Sequence, residues 1–348
     1  MRSAFRCYTD VLFFIDMANR AATSVLFGFD FQANAAIVLM LENIREMTYI
    51  RLEGSEDIEI ILNDGSHILA QAKSVVKSSS DFRNVIANLK KSIESLSEAY
   101  HNAPNTVREL IYVTNSPNPF KEKHFNTIFL GPSQRKYSSL PDNLQGKVSE
   151  ILNELKNPLD TNKFKIQILP FETDIDKERY KFVITEIGDF ISSLGNVSVE
   201  RNQIHGIWTK ELFRSGTRKD KSINLKKKDL IWPIIVLITN NDDYDEYDID
   251  DSEADELLLA YKDIISTCSE KYEFVTRVLY AYNSYNVTSK KTKLENFLNS
   301  ESRHFKYIVD DSDINLSEDL KDTLLHIILR NIISKRIRIN HIKDTVNL

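Results

Sequence analysis

Asp57, Gln71 and Lys73 are the residues of this chain whose types and spacing could do chemistry together. Phosphodiester hydrolysis needs a carboxylate-held divalent cation that binds the scissile phosphate and acidifies a water. It also gains from a fixed positive charge that meets the extra negative charge of the transition state and orients the nucleophile. Asp57 supplies a carboxylate, Gln71 an amide oxygen and Lys73 an ammonium. Glu53, ahead of Asp57, is a plausible second acid, and Glu56 and Glu59 are weaker candidates. An acid followed at a distance by Gln-x-Lys is a degenerate pattern. On spacing alone, Asp57 reads equally as a solubilising edge-strand residue and Lys73 as its cross-strand partner.

The element that must position these groups is a hairpin over Leu52 to Ser74, LEGSEDIEIILNDGSHILAQAKS. Asp57 to Leu62 alternates acid and aliphatic, Asn63-Asp64-Gly65-Ser66 is turn chemistry, and His67 to Val75 is a second apolar strand. Period two puts Asp57 and Glu59 on one face of the first strand and Gln71 and Lys73 on one face of the second. A lysine on the inner part of a sheet pays desolvation, so it wants a carboxylate, a metal-bound water or a phosphate beside it. Ahead of the hairpin, Phe29 to Met47 has a helical period with Asp30 as its cap, and Gln32 in the first turn is either a solvated amide or a group facing the hairpin. After it, Ser78 to Asp81 starts a helix over Phe82 to Tyr100, and Glu109 to Asn115 is a buried strand. Helix, hairpin, helix, strand is an α/β order with helices free to cover both sheet faces.

Farther along, Leu144 to Leu155, Asp176 to Leu194 and Ile204 to Arg214 are expected helices, and Lys163 to Phe171 is an expected strand stopped by Pro170. Between Arg214 and Asp229 lie seven basic residues, Arg214, Arg218, Lys219, Lys221, Lys226, Lys227 and Lys228, against Asp220 and Asp229. This is a solvated loop and helix start, or a contact to a phosphate backbone. Asn240 to Glu256 holds ten acids and no base and marks the best boundary in the chain. Beyond it, Leu257 to Tyr285, Leu294 to Leu298 and Leu316 to Ile339 are helical by period, a platform for another protein or for a copy of this chain.

The 348 residues suffice for one large domain with an appendage or for two domains, and nine glycines with eight prolines exclude collagenous and low-complexity classes. The net charge of −6 divides unevenly: +2 for residues 1–240 (31 basic, 29 acidic) and −8 for residues 241–348 (14 basic, 22 acidic). Bulk charge therefore neither supports nor excludes DNA. Cys7 and Cys268 form no metal or redox spacing, no convincing signal peptide opens the chain, and no apolar run approaches a membrane span. A reducing cytoplasm is the expected location. Other enzyme classes find little support, with no phosphate-cradling glycine loop, no zinc pattern and no nucleophile motif around the seven histidines.

The succession FDFQ opening a helix, RLEGSEDIEI, ILAQAKS, a further helix and LIYVTN resembles the PD-(D/E)xK nuclease superfamily in its QxK variant, over residues 28–116. More narrowly it looks like the double-stranded DNA endonuclease domain of CD-NTase-associated (CBASS) anti-phage effectors. That resemblance implies a restriction-endonuclease-like mixed sheet flanked by helices. It implies Asp57, Gln71 and Lys73 as catalytic residues with Gln32 and Glu53 beside them, and Mg²⁺ or Mn²⁺ held by Asp57, Glu53 and Gln71. Gln71 in place of a second carboxylate departs from the commoner motif. The remaining helical residues look too few for a cyclic-oligonucleotide sensor, so the chain is more similar to the nuclease subunit of Lamassu, an ABC-three-component defence system. This implies a nuclease domain over 1–240 (core 28–116, helical and basic extension 117–240), an acidic linker over 241–256 and a partner-binding region over 257–348. It also implies an SMC-like ATPase and a small accessory subunit that hold the nuclease inactive until release and self-association. A scaffold that keeps the fold without the activity is the alternative.

Overall fold

The computed structural model describes residues 2–348 except 79, 81, 123–126, 172–174, 196–197, 221–223, 240–255, 258, 262–263, 265–269, 287–291 and 311–315; side chains are described from residue 23, apart from those of 127, 176 and 270–272. The acidic segment, apart from Glu256, therefore lies outside the described residues, as do Lys221, Cys268 and the Ser79 and Asp81 of the expected helix start.

The chain divides into two compact units, residues 1–188 with 205–226, and residues 189–204 with 227–348. The first is an α/β unit built on a mixed seven-stranded sheet of order β5-β6-β4-β3-β2-β1-β7. Its strands are β1 (Met47–Leu52), β2 (Ile58–Leu62), β3 (His67–Lys73), β4 (Val107–Thr114), β5 (Ser133–Lys136), β6 (Phe164–Ile168) and β7 (Leu225–Lys226). β1, β2 and β3 form an antiparallel meander, whereas β3, β4 and β6 run parallel. The hairpin register pairs Ile58 with Ala70 and Ile60 with Ile68, which puts these apolar side chains on one face and Glu59, Leu69 and Gln71 on the other.

The helices that cover this sheet differ in extent from the pattern in the sequence. α1 spans Arg2–Asn43, so Asp30 is an interior residue and not a cap. Its carboxylate instead accepts from Asn34 Nδ2 at 3.0 Å and Tyr180 Oη at 2.8 Å. Met47, expected at the end of this helix, opens β1. The Thr23–Asn43 part of α1 has the length and hydropathy of a membrane span, contrary to the expectation that no run does. Phe31, Ala36, Ile37, Val38, Leu39 and Met40 within it are buried, and α1 packs on β1, β2 and β3. α2 (Val85–Asn102) lies on the Leu69 face, where Leu89, Ile93 and Leu96 join Leu110, Tyr112, Phe164 and Ile166 in one apolar core. α3 (Asp142–Asn153) adds Leu144, Val148 and Leu152 to the same core. Next come α4 (Asp176–Arg179), α5 (Lys181–Ser193) and α6 (Arg201–Gly216).

The second unit is helical. It contains α7 (Lys227–Thr239), α8 (Glu270–Ser284), α9 (Lys293–Glu301), α10 (Tyr307–Asp310), α11 (Glu318–Ser334) and α12 (Arg336–Val346). α11 is capped by Ser317, whose hydroxyl accepts from the Leu320 amide, and its buried Leu324, Ile328 and Ile332 follow the helical period. The chain passes between the two units at 188/189, 204/205 and 226/227, so the apolar α7 belongs to the helical unit.

Candidate active site

The local fold of the hairpin mouth brings Asp57, Lys73, Glu53 and Gln32 together. Between β1 and β2 the chain makes a tight turn in which the Glu53 amide donates to the Asp57 carbonyl at 3.1 Å and the Gly54 amide to the Glu56 carbonyl at 3.1 Å. Glu53 sits in the left-handed region at φ 53°. β2 starts only at Ile58, so Asp57 is the last residue of the turn and leans across to β3. Lys73 Nζ lies 3.0 Å from Asp57 Oδ2, and the Ala72 amide donates to the same oxygen at 3.0 Å. The side chains are 19% (Asp57) and 32% (Lys73) exposed, so the pair faces solvent in part. Gln32 Nε2, reaching over from α1, donates to the Asp57 carbonyl at 2.6 Å and to Glu53 Oε1 at 2.9 Å. Its amide thus faces the hairpin and ties Glu53 to the Asp57 backbone.

Gln71 takes a partner that strand alternation does not foresee. Its Nε2 donates to Glu56, which also accepts from Ser95 Oγ of α2 at 3.0 Å on each oxygen. Gln71 and Glu56 are 6% and 5% exposed. Burial pushes the Glu56 carboxyl up to about 7, against the Gln71 and Ser95 hydrogen bonds that favour the ionised form. Glu59, by contrast, is committed to structure. It is buried and held by Arg51 Nη1 at 3.1 Å and His67 Nδ1 at 2.9 Å.

Behind Lys73, Asn115 fixes the exit of β3. It is buried, accepts from the Val75 amide at 2.8 Å and donates to the carbonyls of Val75 and Phe171 at 2.9 Å each. Sequence reading placed Asn115 only as the end of a strand. Its signal was a polar residue closing the apolar run LIYVT.

Two cavities flank the unit. One of about 340 Å³ lies beside Glu56 and is lined by Ser55, Glu59, His67, Ser95 and Glu98 among others. Another of about 490 Å³ is lined by Asp30, Tyr180, His205, Lys210, Leu26 and Phe213 among others, and His205 Nε2 is 2.8 Å from Asn34 Oδ1 there. Asp57 and Lys73 line neither. The pair stays partly exposed at the hairpin mouth.

Among the described residues no three His, Cys, Asp or Glu side chains converge as a metal centre. The groups around Asp57 still fit Mg²⁺ or Mn²⁺, because Mg²⁺ keeps several waters and is commonly held by one or two carboxylates plus substrate phosphates. Asp57 offers a partly exposed carboxylate, and with the Gln71 nitrogen spent on Glu56 the amide oxygen is the atom left to face a cation. Glu53 is exposed and oriented by Gln32.

The described cations of the basic stretch differ in exposure. Arg214 is exposed beside Glu211 on α6, Lys219 and Lys226 are exposed, and Arg218 is half-buried. Lys227 must leave the phosphate-contact set: it is 4% exposed and its Nζ donates to the carbonyls of Val346 at 2.8 Å and Asn347 at 3.0 Å, closing the end of α12. Lys228 pairs with Glu273 at 3.3 Å in the same helical unit.

Fold and site together define an α/β protein with a carboxylate–lysine pair at the open end of a sheet. Comparison with protein-family models, with curated proteins and with solved structures finds no match to the chain.

Proposed function

We propose that this chain is a metal-dependent endonuclease for double-stranded DNA, with a PD-(D/E)xK core in its QxK variant. The observation that carries the reading is the 3.0 Å approach of Lys73 Nζ to Asp57 Oδ2 at a partly open sheet end, with Gln71 two residues before Lys73 on the same strand face. Asp57, the Gln71 oxygen and Glu53 would hold Mg²⁺ or Mn²⁺, which would supply a Lewis acid for the phosphate and lower the pKa of a water. Lys73 holds its ammonium where charge builds up on the phosphate and orients the attacking water. Gln32 acts on this set by fixing the Asp57 carbonyl and Glu53. The exposed Arg214, Lys219 and Lys226 and the half-buried Arg218, with Lys221, supply phosphate-backbone contacts.

The same reading makes the chain the effector subunit of a cytoplasmic anti-phage complex. An SMC-like ATPase and a small accessory subunit restrain it, and release with self-association activates it.

The test is plasmid nicking with Mg²⁺ or Mn²⁺ across a range of protein concentrations, beside Lys73→Ala and Asp57→Ala. Cleavage that rises steeply with concentration and vanishes in both variants is the expected result. Cleavage retained in both would remove the site. A wild-type chain inert at every concentration, with partner binding untouched by the substitutions, would mark it as a scaffold.

A further inference from the structure

We propose that Glu56 is a positioning residue that locks the Gln71 amide with its oxygen turned toward the cation site beside Asp57; this deepens the reading above and rests on it. A glutamine amide presents either an acceptor or two donors, and the two ends differ little in shape. Only the acceptor end helps hold a cation. The buried Glu56 meets Gln71 through the amide nitrogen, which donates to one of its carboxyl oxygens. Glu56 is itself fixed, since Ser95 Oγ donates to both its oxygens at 3.0 Å from the rigid α2. The chain α2, Ser95, Glu56, Gln71 therefore sets which amide atom faces away from Glu56. The QxK motif replaces a carboxylate, which binds a cation in either orientation, by an amide that does so in one. A buried acid behind the amide supplies the missing orientation.

The experiment measures Mn²⁺ binding to the full chain without DNA, by calorimetry at pH 8, in parallel with plasmid nicking. Glu56→Gln is nearly isosteric but lets residue 56 accept or donate, so the Gln71 amide loses its bias. Mn²⁺ affinity is expected to fall about tenfold, the size of effect usual for a residue that orients a metal ligand. Ser95→Ala is expected to act in the same direction. The exchanged pair Glu56→Gln with Gln71→Glu rebuilds an amide–carboxylate bond with the roles reversed and places a carboxylate at position 71. Its Mn²⁺ affinity is expected to return at least to the wild-type level, which a loss of packing at position 56 would not allow. Unchanged affinity in Glu56→Gln, an exchanged pair no better than the single variant, or no Mn²⁺ bound by the wild-type chain would each overturn the proposal. Wild-type cleavage alongside unchanged Glu56→Gln affinity discards the role of Glu56 and keeps the nuclease. The expected affinity pattern with no wild-type cleavage at any concentration does the reverse.

Discussion

Asp57 and Lys73 form the kind of ion pair that adds little to stability, because both side chains remain in contact with water. Lys73→Ala is therefore expected to change the free energy of unfolding by no more than about 1 kcal/mol, and Asp57→Ala by about 1–3 kcal/mol because the buried Ala72 amide also loses its acceptor, while both lower cleavage on the order of a hundredfold or more. Denaturant titration beside the nicking assay reads both quantities, and a Lys73→Ala variant that loses both together would point to a structural pair. Asn115 should behave in the opposite way. Each of its side-chain atoms serves a buried backbone group of Val75 or Phe171, so Asn115→Ala leaves donors and acceptors without partners. A loss of about 3 kcal/mol in urea unfolding is expected. An effect under about 0.5 kcal/mol would mean that water replaces those bonds.

At the scale of elements, α1 and α6 are joined through a polar cluster and not only by apolar contact. His205 of α6 reaches Asn34 of α1, Tyr180 packs its ring 5.0 Å from the imidazole, and Tyr180 Oη reaches Asp30. Burial lowers the His205 pKa from its ordinary 6.5, so the folded chain resists a proton that the unfolded chain accepts. The stabilising contribution of neutral His205 is thus fully present above pH 6.5 and is lost as pH falls below it. Thermal melts between pH 8 and pH 5 are expected to show this decline, with a shallower slope in His205→Gln. Equal slopes in the two proteins would remove His205 from the account. The same scale explains the turn at the hairpin mouth. A Cβ at Gly54 would lie 2.6 Å from Glu59 Oε2 and 2.8 Å from Arg51 Cδ, so glycine there lets the Arg51–Glu59 pair close beneath the turn.

For the whole molecule, the described cations between Arg214 and Lys228 differ in burial, from the exposed Lys219 to the buried Lys227. Lys227→Ala is expected to cost stability, on the order of 1–3 kcal/mol, because the last carbonyls of α12 lose a buried donor, and to leave DNA affinity unchanged. Arg218→Ala with Lys219→Ala is expected to leave melting unchanged, to weaken duplex binding equally across sequences and to reduce the salt slope by about 1 per cation removed. Binding measured against salt concentration checks this, and an unaltered slope would exclude that part of the surface.

The elements of the first unit that local pattern specifies were visible without coordinates. Alternating Ile58, Ile60, Ile68 and Ala70, the Asn63–Ser66 turn and the period of Leu89, Ile93 and Leu96 define hairpin and helix because side-chain periodicity is a property of neighbours along the chain. The meeting of Asp57 with Lys73 was inferable for the same reason, as a hairpin carries its own register. What period two could not foretell is the turn from Glu53 to Asp57, which breaks the alternation and hands Gln71 to Glu56 instead of leaving the acid at the margin. β1, β5 and β7 carry no sufficient local signal, since short strands acquire their identity from the strands they pair with. The place where the chain divides, and the burial of Lys227, depend on contacts between residues far apart in sequence. Composition sees only an acidic run and a basic one, whereas long-range packing assigns each residue to its unit.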